Sequence, residues 1–166
     1  MIPIYNINLS KHSIKNVKNC LSENWISSKG KYISRFEKKF SKLIKINYAS
    51  TVTNGTVALH LALLALGIKE DDEIIVPALT YVAPVNAIRY IGAKPVFVDA
   101  DIDTWNIDVN KIEKKITKKT KAILAVHLYG FSCDILRIKK ICKTYNLLLI
   151  EDSAEALGIR LNNKNL

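Results

Sequence analysis

Only three cysteines occur in the 166 residues, Cys20, Cys133 and Cys142, odd in number and in no CxxC pairing. That excludes a disulfide framework and offers no zinc-ligand spacing, so all three read as buried small thiols. Glycine (6) and proline (4) are too few for a collagen or a low-complexity linker. No uninterrupted apolar run approaches the roughly 20 residues that a membrane-spanning helix needs. The opening MIPIYNINLSKHSIKNVKN has no apolar core followed by a cleavage site, so a cytoplasmic location without membrane contact is expected. Asp99, Asp101 and Asp103 lack the glycine and the distant glutamate of an EF-hand, and no metal is expected.

What is abundant is lysine. The formal net charge is +10, and residues 1–50 carry ten basic against two acidic side chains. Of the 25 basic residues 21 are Lys, while Lys, Ile and Asn fill 58 positions, a compositional bias as much as a binding surface. Arginine, the fork-shaped phosphate reader, occurs four times. No helix-turn-helix, zinc-finger or RNP signature accompanies the charge, so nucleic acid is not an expected partner. Attraction of anionic small molecules remains open.

The hydrophobic 49% of the chain is periodic. Ser10 can cap a helix with Ile14, Val17 and Leu21 on one face, and Ile33, Phe36, Phe40 and Leu43 mark a second. Residues 1–47 are therefore expected to form an N-terminal helical segment, with residues 25–32 as a loop. From residue 48 short β-rich runs alternate with helical ones. Strands are expected at 48–53, 74–76, 96–99, 122–128 and 147–150. Helices are expected after Asn54 (apolar nearly all round, hence buried, ending at Gly67), from Val82 to Gly92, at 109–117 and at 134–145. Such alternation implies a mostly parallel sheet covered on both faces, a three-layer α/β/α architecture, with ligands beyond the carboxyl ends of the strands.

That rule sorts the candidate residues. Gly55 and Thr56 open a helix, where free N–H groups and the dipole favour an anion; a plain turn and cap is the alternative. There is no GxGxxG and no GxxxxGK[ST], which leaves a dinucleotide fold or a Walker-type ATPase unsupported. Asp152, next to Glu151, follows a hydrophobic strand and needs a partner such as a protonated ring nitrogen, a metal or an arginine, unless one of the pair is solvated and the other caps a turn. Glu155 reaches the same place if a helical turn begins there. Tyr81 follows a strand and can lie against a planar ligand or belong to the core. His60, inside an apolar helix, reads as an interior histidine, and His127 is better placed for chemistry.

Together these segments form a recognisable series. TNGTVALHLALLALGI, DDEIIVPALTYVAPVNAIRYIGAKPVFVD, KTKAILAVHLYG and IEDSAEALG resemble successive blocks of the DegT/DnrJ/EryC1/StrS family of pyridoxal-phosphate-dependent sugar aminotransferases. MIPIYNINLS and WISSKGKYISRFEKKF resemble its perosamine synthase branch. The resemblance implies the large domain of the fold-type-I pyridoxal-phosphate transferases, with residues 48–166 as its first part, working as a homodimer. It implies that Gly55 and Thr56 hold the cofactor phosphate, Tyr81 stacks on the pyridine ring, Asp152 pairs with the ring nitrogen and Glu155 lies near the ring hydroxyl. Trp25, Ser27, Ser28 and His127 are then expected on the substrate side.

The implied activity moves an amino group from an amino acid, with glutamate as the expected donor, to a nucleotide-linked 4-keto-6-deoxy sugar, in cell-surface polysaccharide or deoxyaminosugar biosynthesis. In the family, the lysine that forms the Schiff base follows the IEDSAEALG block, and here it is expected beyond Leu166. Lys164 lies in a stretch resembling a variable loop and Lys121 precedes its strand, so neither takes that role. The resemblance therefore implies the N-terminal part of the enzyme, inactive by itself. The alternatives are a truncated or split non-catalytic subunit, or part of a related sugar dehydratase in which histidine replaces the lysine.

Overall fold

Ser10 begins the first regular element of the computed structural model, which describes residues 6–161 and 164–165. Of the entrance MIPIYNINLS, residues 1–5 lie outside the described residues. Two units are separable along the chain, Met1–Ser50 and Thr51–Leu166. In the first, Ser10 Oγ accepts the Ser13 N–H at 3.0 Å and caps α1 (Lys11–Ser22). Helix α2 (Lys31–Ile44) carries Phe36 and Phe40 stacked at 5.6 Å and ends at Lys45 in the left-handed region. Cys20, expected to be buried, is only half-buried on α1.

The second unit runs α3 (Gly55–Ala65), β1 (Glu73–Pro77), α4 (Val82–Tyr90), β2 (Lys94–Val98), α5 (Val109–Ile112), β3 (Thr120–Val126), α6 (Ile135–Tyr145) and β4 (Leu148–Asp152). A short antiparallel hairpin, β5 (Arg160–Leu161) with β6 (Lys164–Asn165), follows. Strands β2-β1-β3-β4 form one sheet in that order, every pairing parallel. Side chains alternate across it. Ile74, Val76, Ala122, Leu124, Val126 and Ile150 face Leu59, Leu63, Ala87 and Ile88 of α3 and α4. Ile75, Val98, Ile123 and Ala125 face Val109 and Ile112 of α5 and the inner side of α6. This is the expected three-layer α/β/α arrangement. Each fully buried Ile or Leu of the sheet contributes about 1.5–3 kcal/mol over its exposed state. Gly92 turns the chain between α4 and β2 at φ +75°, an angle that favours glycine, and a Cβ there would sit tightly against Glu70 Cγ at 3.0 Å.

Four expectations need correction. Residues 48–53 form no strand: Tyr48 is 87% exposed, and no described strand pairs with the segment, so β-branched residues alone did not make a ladder. Helix α3 is not buried all round; Leu59 and Leu63 are buried, whereas Val57, Leu61 and Leu64 are exposed. Helix 109–117 stops at Ile112 and tightens into a 3-10 turn (Glu113–Lys115), because Ile116 must turn extended to feed β3. Asp152 does not follow β4 but ends it, paired with Val126, and Glu151 lies within the strand opposite Ala125. Among the described residues no helix is long and apolar enough to cross a membrane.

Candidate functional site

The chain leaves β1 to place β2 on one side and leaves β3 to place β4 on the other, so the connections diverge above the carboxyl ends of β1 and β3. Parallel sheets bind ligands at such a divergence. A cleft of about 450 Å³ opens there, and Asn54, Gly55, Thr56, Tyr81, Asp152 and Glu155 are among its lining residues. The structure thus gathers the five candidates Gly55, Thr56, Tyr81, Asp152 and Glu155 around one space, although Gly55 and Asp152 stand 97 positions apart in the chain.

Each is positioned by a local device. Asn54 Oδ1 accepts the Val57 N–H at 3.0 Å, capping α3 and leaving the N–H groups of Gly55 and Thr56 in the first turn without a helical acceptor. A Cβ on Gly55 would meet nothing within 4 Å, so packing does not demand glycine; the residue leaves open space at a positive helix end. Tyr81 is the N-cap residue of α4, 74% exposed, and no side chain caps that helix. Two helix N-termini therefore border the cleft. Asp152 Oδ1 accepts the Ala154 N–H at 3.0 Å, which aims the carboxylate from the strand end. Glu155 Oε2 accepts the Tyr129 N–H at 2.9 Å across to the loop after β3.

The lining combines amide N–H groups at a helix start, a threonine hydroxyl, an aromatic ring and two carboxylates. It fits a planar ligand bearing an anionic group and a protonated ring nitrogen. Thr80 Oγ1, buried at the cleft without a hydrogen-bond partner, is a further polar group that such a ligand can satisfy. Sequence reasoning passed over Thr80; its signal was adjacency to Tyr81 after a strand. No lysine is among the described residues lining the cleft. Lys121 lies at the amino end of β3, the sheet's opposite edge, and Lys164 in the β5–β6 hairpin.

His127 corrects an expectation. It is wholly buried and is not among the lining residues of the cleft, because it follows Val126 and so projects to the other face of the sheet. Trp25, Ser27 and Ser28 belong to the first unit; Trp25 is exposed, and Ser27 Oγ accepts the Lys29 N–H at 3.1 Å. His60 is half-buried, edge-on to Tyr90 at 5.8 Å. A second groove, of about 420 Å³, is lined by Asp101, Asp108, Asp134 and Arg137 among others. Its polar groups serve local structure: Asp134 caps α6, Arg137 Nη2 donates to Asn110 Oδ1 at 2.8 Å, and Asp101 takes the N–H and hydroxyl of Thr104. Those two Thr104 bonds lead the causes that hold Asp101 below the usual carboxylate range.

Comparison with known proteins matches residues 8–166 to the profile of the DegT/DnrJ/EryC1/StrS aminotransferase family. The chain belongs to that family. It is 56% identical over 163 residues to GDP-perosamine synthase of Escherichia coli O157:H7, covering 98% of this chain and 45% of that protein. Among solved structures, the E. coli GDP-4-keto-6-deoxy-D-mannose-3-dehydratase with bound hydrated PLP superposes with a TM-score of 0.89 at 32% identity, over 98% of this chain and 43% of that one. A variant of GDP-4-keto-6-deoxymannose-3-dehydratase with bound GDP-perosamine gives 0.90 at 32%, over 98% and 44%. This DegT/DnrJ/EryC1/StrS chain therefore spans under half the length of the relatives it matches. Its four-stranded sheet and flanking helices are the corresponding part of the pyridoxal-phosphate-dependent aminotransferase and dehydratase fold.

Proposed function

We propose that this chain is the N-terminal part of a pyridoxal-phosphate-dependent aminotransferase that moves an amino group from an amino acid, glutamate being the expected donor, onto a nucleotide-linked 4-keto-6-deoxy sugar. The observation that carries the reading is the meeting of Gly55, Thr56, Tyr81, Asp152 and Glu155 around one cleft. The first turn of α3 and the Thr56 hydroxyl would hold the phosphate, Tyr81 would lie against the ring, and Asp152 would hold a proton on the ring nitrogen. Glu155, fixed by the Tyr129 N–H, would serve the ring hydroxyl. When bound, the cofactor supplies an electron-poor ring that stabilises negative charge on the carbon losing its proton.

The similarity to GDP-perosamine synthase supports a GDP-linked sugar as substrate, and the 40% identity over 149 residues to a Bacillus subtilis spore coat polysaccharide biosynthesis protein supports a place in polysaccharide biosynthesis; a cytoplasmic homodimer is part of the same proposal. Trp25, Ser27 and Ser28 are the expected sugar-side residues. Because no lysine borders the cleft among the described residues, the 166-residue polypeptide by itself is expected to form no borohydride-reducible adduct there. Structures of GDP-4-keto-6-deoxymannose-3-dehydratase stand among the structural neighbours, which gives a second reading, sugar dehydration on the same cofactor.

Joining this chain in frame to the remaining portion of the E. coli O157:H7 GDP-perosamine synthase, and supplying GDP-4-keto-6-deoxymannose with glutamate, tests the proposal. Formation of an amino sugar is the expected result. A chimera that binds pyridoxal phosphate and forms no amino sugar would contradict the aminotransferase reading; a deoxygenated keto sugar formed only when the chain is joined instead to the remaining portion of the E. coli GDP-4-keto-6-deoxy-D-mannose-3-dehydratase would favour dehydration.

A further inference from the structure

Behind Asp152, on the opposite face of the sheet, lies a polar cluster around a buried histidine that the cleft does not use. His127 is 0% exposed and continues β3 by one residue, its backbone N–H donating to the Asp152 carbonyl at 3.0 Å. Its ring is committed on one side, where Nδ1 accepts the Cys133 N–H at 3.1 Å. A neutral imidazole accepting there carries its proton on Nε2. That atom faces Glu151 Oε2 at 3.4 Å, off the axis of a full hydrogen bond. Glu151 in turn meets Lys139 Nζ of α6 at 3.2 Å.

The neighbouring thiol completes the group. Burial pushes Cys133 up to about 11, so it stays protonated, and its S–H donates to the Val126 carbonyl at 3.0 Å. These residues tie together the ends of β3 and β4, the loop before α6, and α6 itself. They reach the cleft by two routes. One is the strand itself: the Glu151 side chain, faced by His127 and paired with Lys139, fixes the main chain one residue before Asp152, beside the backbone bond from the residue-127 N–H to the Asp152 carbonyl that any side chain at 127 would leave in place. The other is the loop of residues 127–133, whose Tyr129 N–H holds Glu155. A buried imidazole with an imperfectly matched N–H is costly beside an apolar side chain, and the register of β3 on β4 does not require it.

We propose that His127 and Glu151 are positioning residues, a strut behind the sheet that sets the direction of the Asp152 and Glu155 carboxylates. Through Asp152 the strut keeps the ring nitrogen of a bound pyridoxal phosphate protonated. The proposal rests on the cleft reading given above and extends it to two residues that do not touch the ligand.

The 166-residue chain is titrated with pyridoxal phosphate labelled with 15N in the ring, as wild type and as Glu151→Gln, His127→Asn and Lys139→Met. His127→Asn keeps an acceptor for Cys133 but removes the group facing Glu151. In Glu151→Gln and His127→Asn the affinity is expected to fall about 10-fold, the scale on which partners behind a ligating group act. The ring resonance is expected to move toward the unprotonated position, with a smaller change in Lys139→Met. Inorganic phosphate, which needs only the first turn of α3, should compete equally well against all four proteins. A wild type without saturable binding overturns the cleft reading and this proposal with it. Saturable wild-type binding with an unchanged resonance in Glu151→Gln and His127→Asn overturns the strut alone. Parallel weakening of both ligands, with loss of far-UV circular dichroism, marks a merely structural role and also overturns it.

Discussion

The Tyr129 backbone N–H donates to Glu155 Oε2 at 2.9 Å, joining the loop after β3 to the turn after β4, where Glu155 lines the cleft. Tyr129 has a φ of +49° there, so the contact holds a backbone conformation that most residues avoid. Glu155→Ala should cost about 1 kcal/mol by removing a partly exposed, charge-assisted bond, whereas Glu155→Gln, whose amide oxygen still accepts, should cost less than half of that. Urea unfolding of the two variants beside wild type measures the difference.

Asn106 is the residue on which the same loop hangs. Only 2% exposed, it accepts the Leu128 N–H at 3.0 Å and donates to the Phe131 carbonyl at 3.2 Å. Asn106→Ala leaves a buried N–H and a carbonyl without partners and should destabilise the fold by about 3 kcal/mol. Amide hydrogen exchange should report faster opening at Leu128 than at Ile123, deep in β3.

Helix α3 is buried on one face only, and neighbouring leucines should behave differently. Leu63 is 0% exposed and Leu61 is 47% exposed. Leu63→Ala should cost about 3 kcal/mol, and Leu61→Ala should stay within about 0.5 kcal/mol of wild type. Equal losses in denaturant melts of the isolated chain would contradict the one-sided packing.

Glu151 makes the fold acid-sensitive. The His127 imidazole first, and Lys139 after it, hold the carboxyl below its ordinary value of 4.5 against the opposing effect of burial. A depressed folded value means that the ionised form favours the fold. The contribution is whole above that ordinary, unfolded value and is lost as pH falls from there through the folded value. The urea midpoint of wild type should therefore decline on going from about pH 6 to about pH 3, and Glu151→Gln should decline less steeply. Exposed Asp71 and Asp99, lowered by hydrogen bonds from Lys94 and Lys111 respectively, act in the same direction, but added salt screens them.

Much of this was legible in the residues. Ser10 reads as a cap and does cap α1, and the helix starts expected after Asn54 and at residue 134 are found, although the capping by Asn54 and Asp134 themselves was not read from the sequence. The alternation of β1 and β3 tells which side chains meet which helix layer. Residues 48–53 misled because β-branched residues describe a pleated surface without supplying a partner strand. For Glu151 and Asp152, their place within β4 sends adjacent side chains to opposite faces, and stopping the strand at Ile150 hid that separation. The same period-two count from Val126 would have turned His127 away from the cleft. Asn106 carried no local signal, since its partners lie 22 and 25 residues away in a loop.

Binding of pyridoxal phosphate to the 166-residue chain, followed by its absorbance for wild type and Asp152→Asn, tests the central claim most directly. One saturable site in wild type, with affinity reduced at least about 10-fold in Asp152→Asn, is the expected result, since a neutral amide replaces the charge paired with the ring nitrogen. Identical titrations of the two proteins, or no saturable site in wild type, would contradict it.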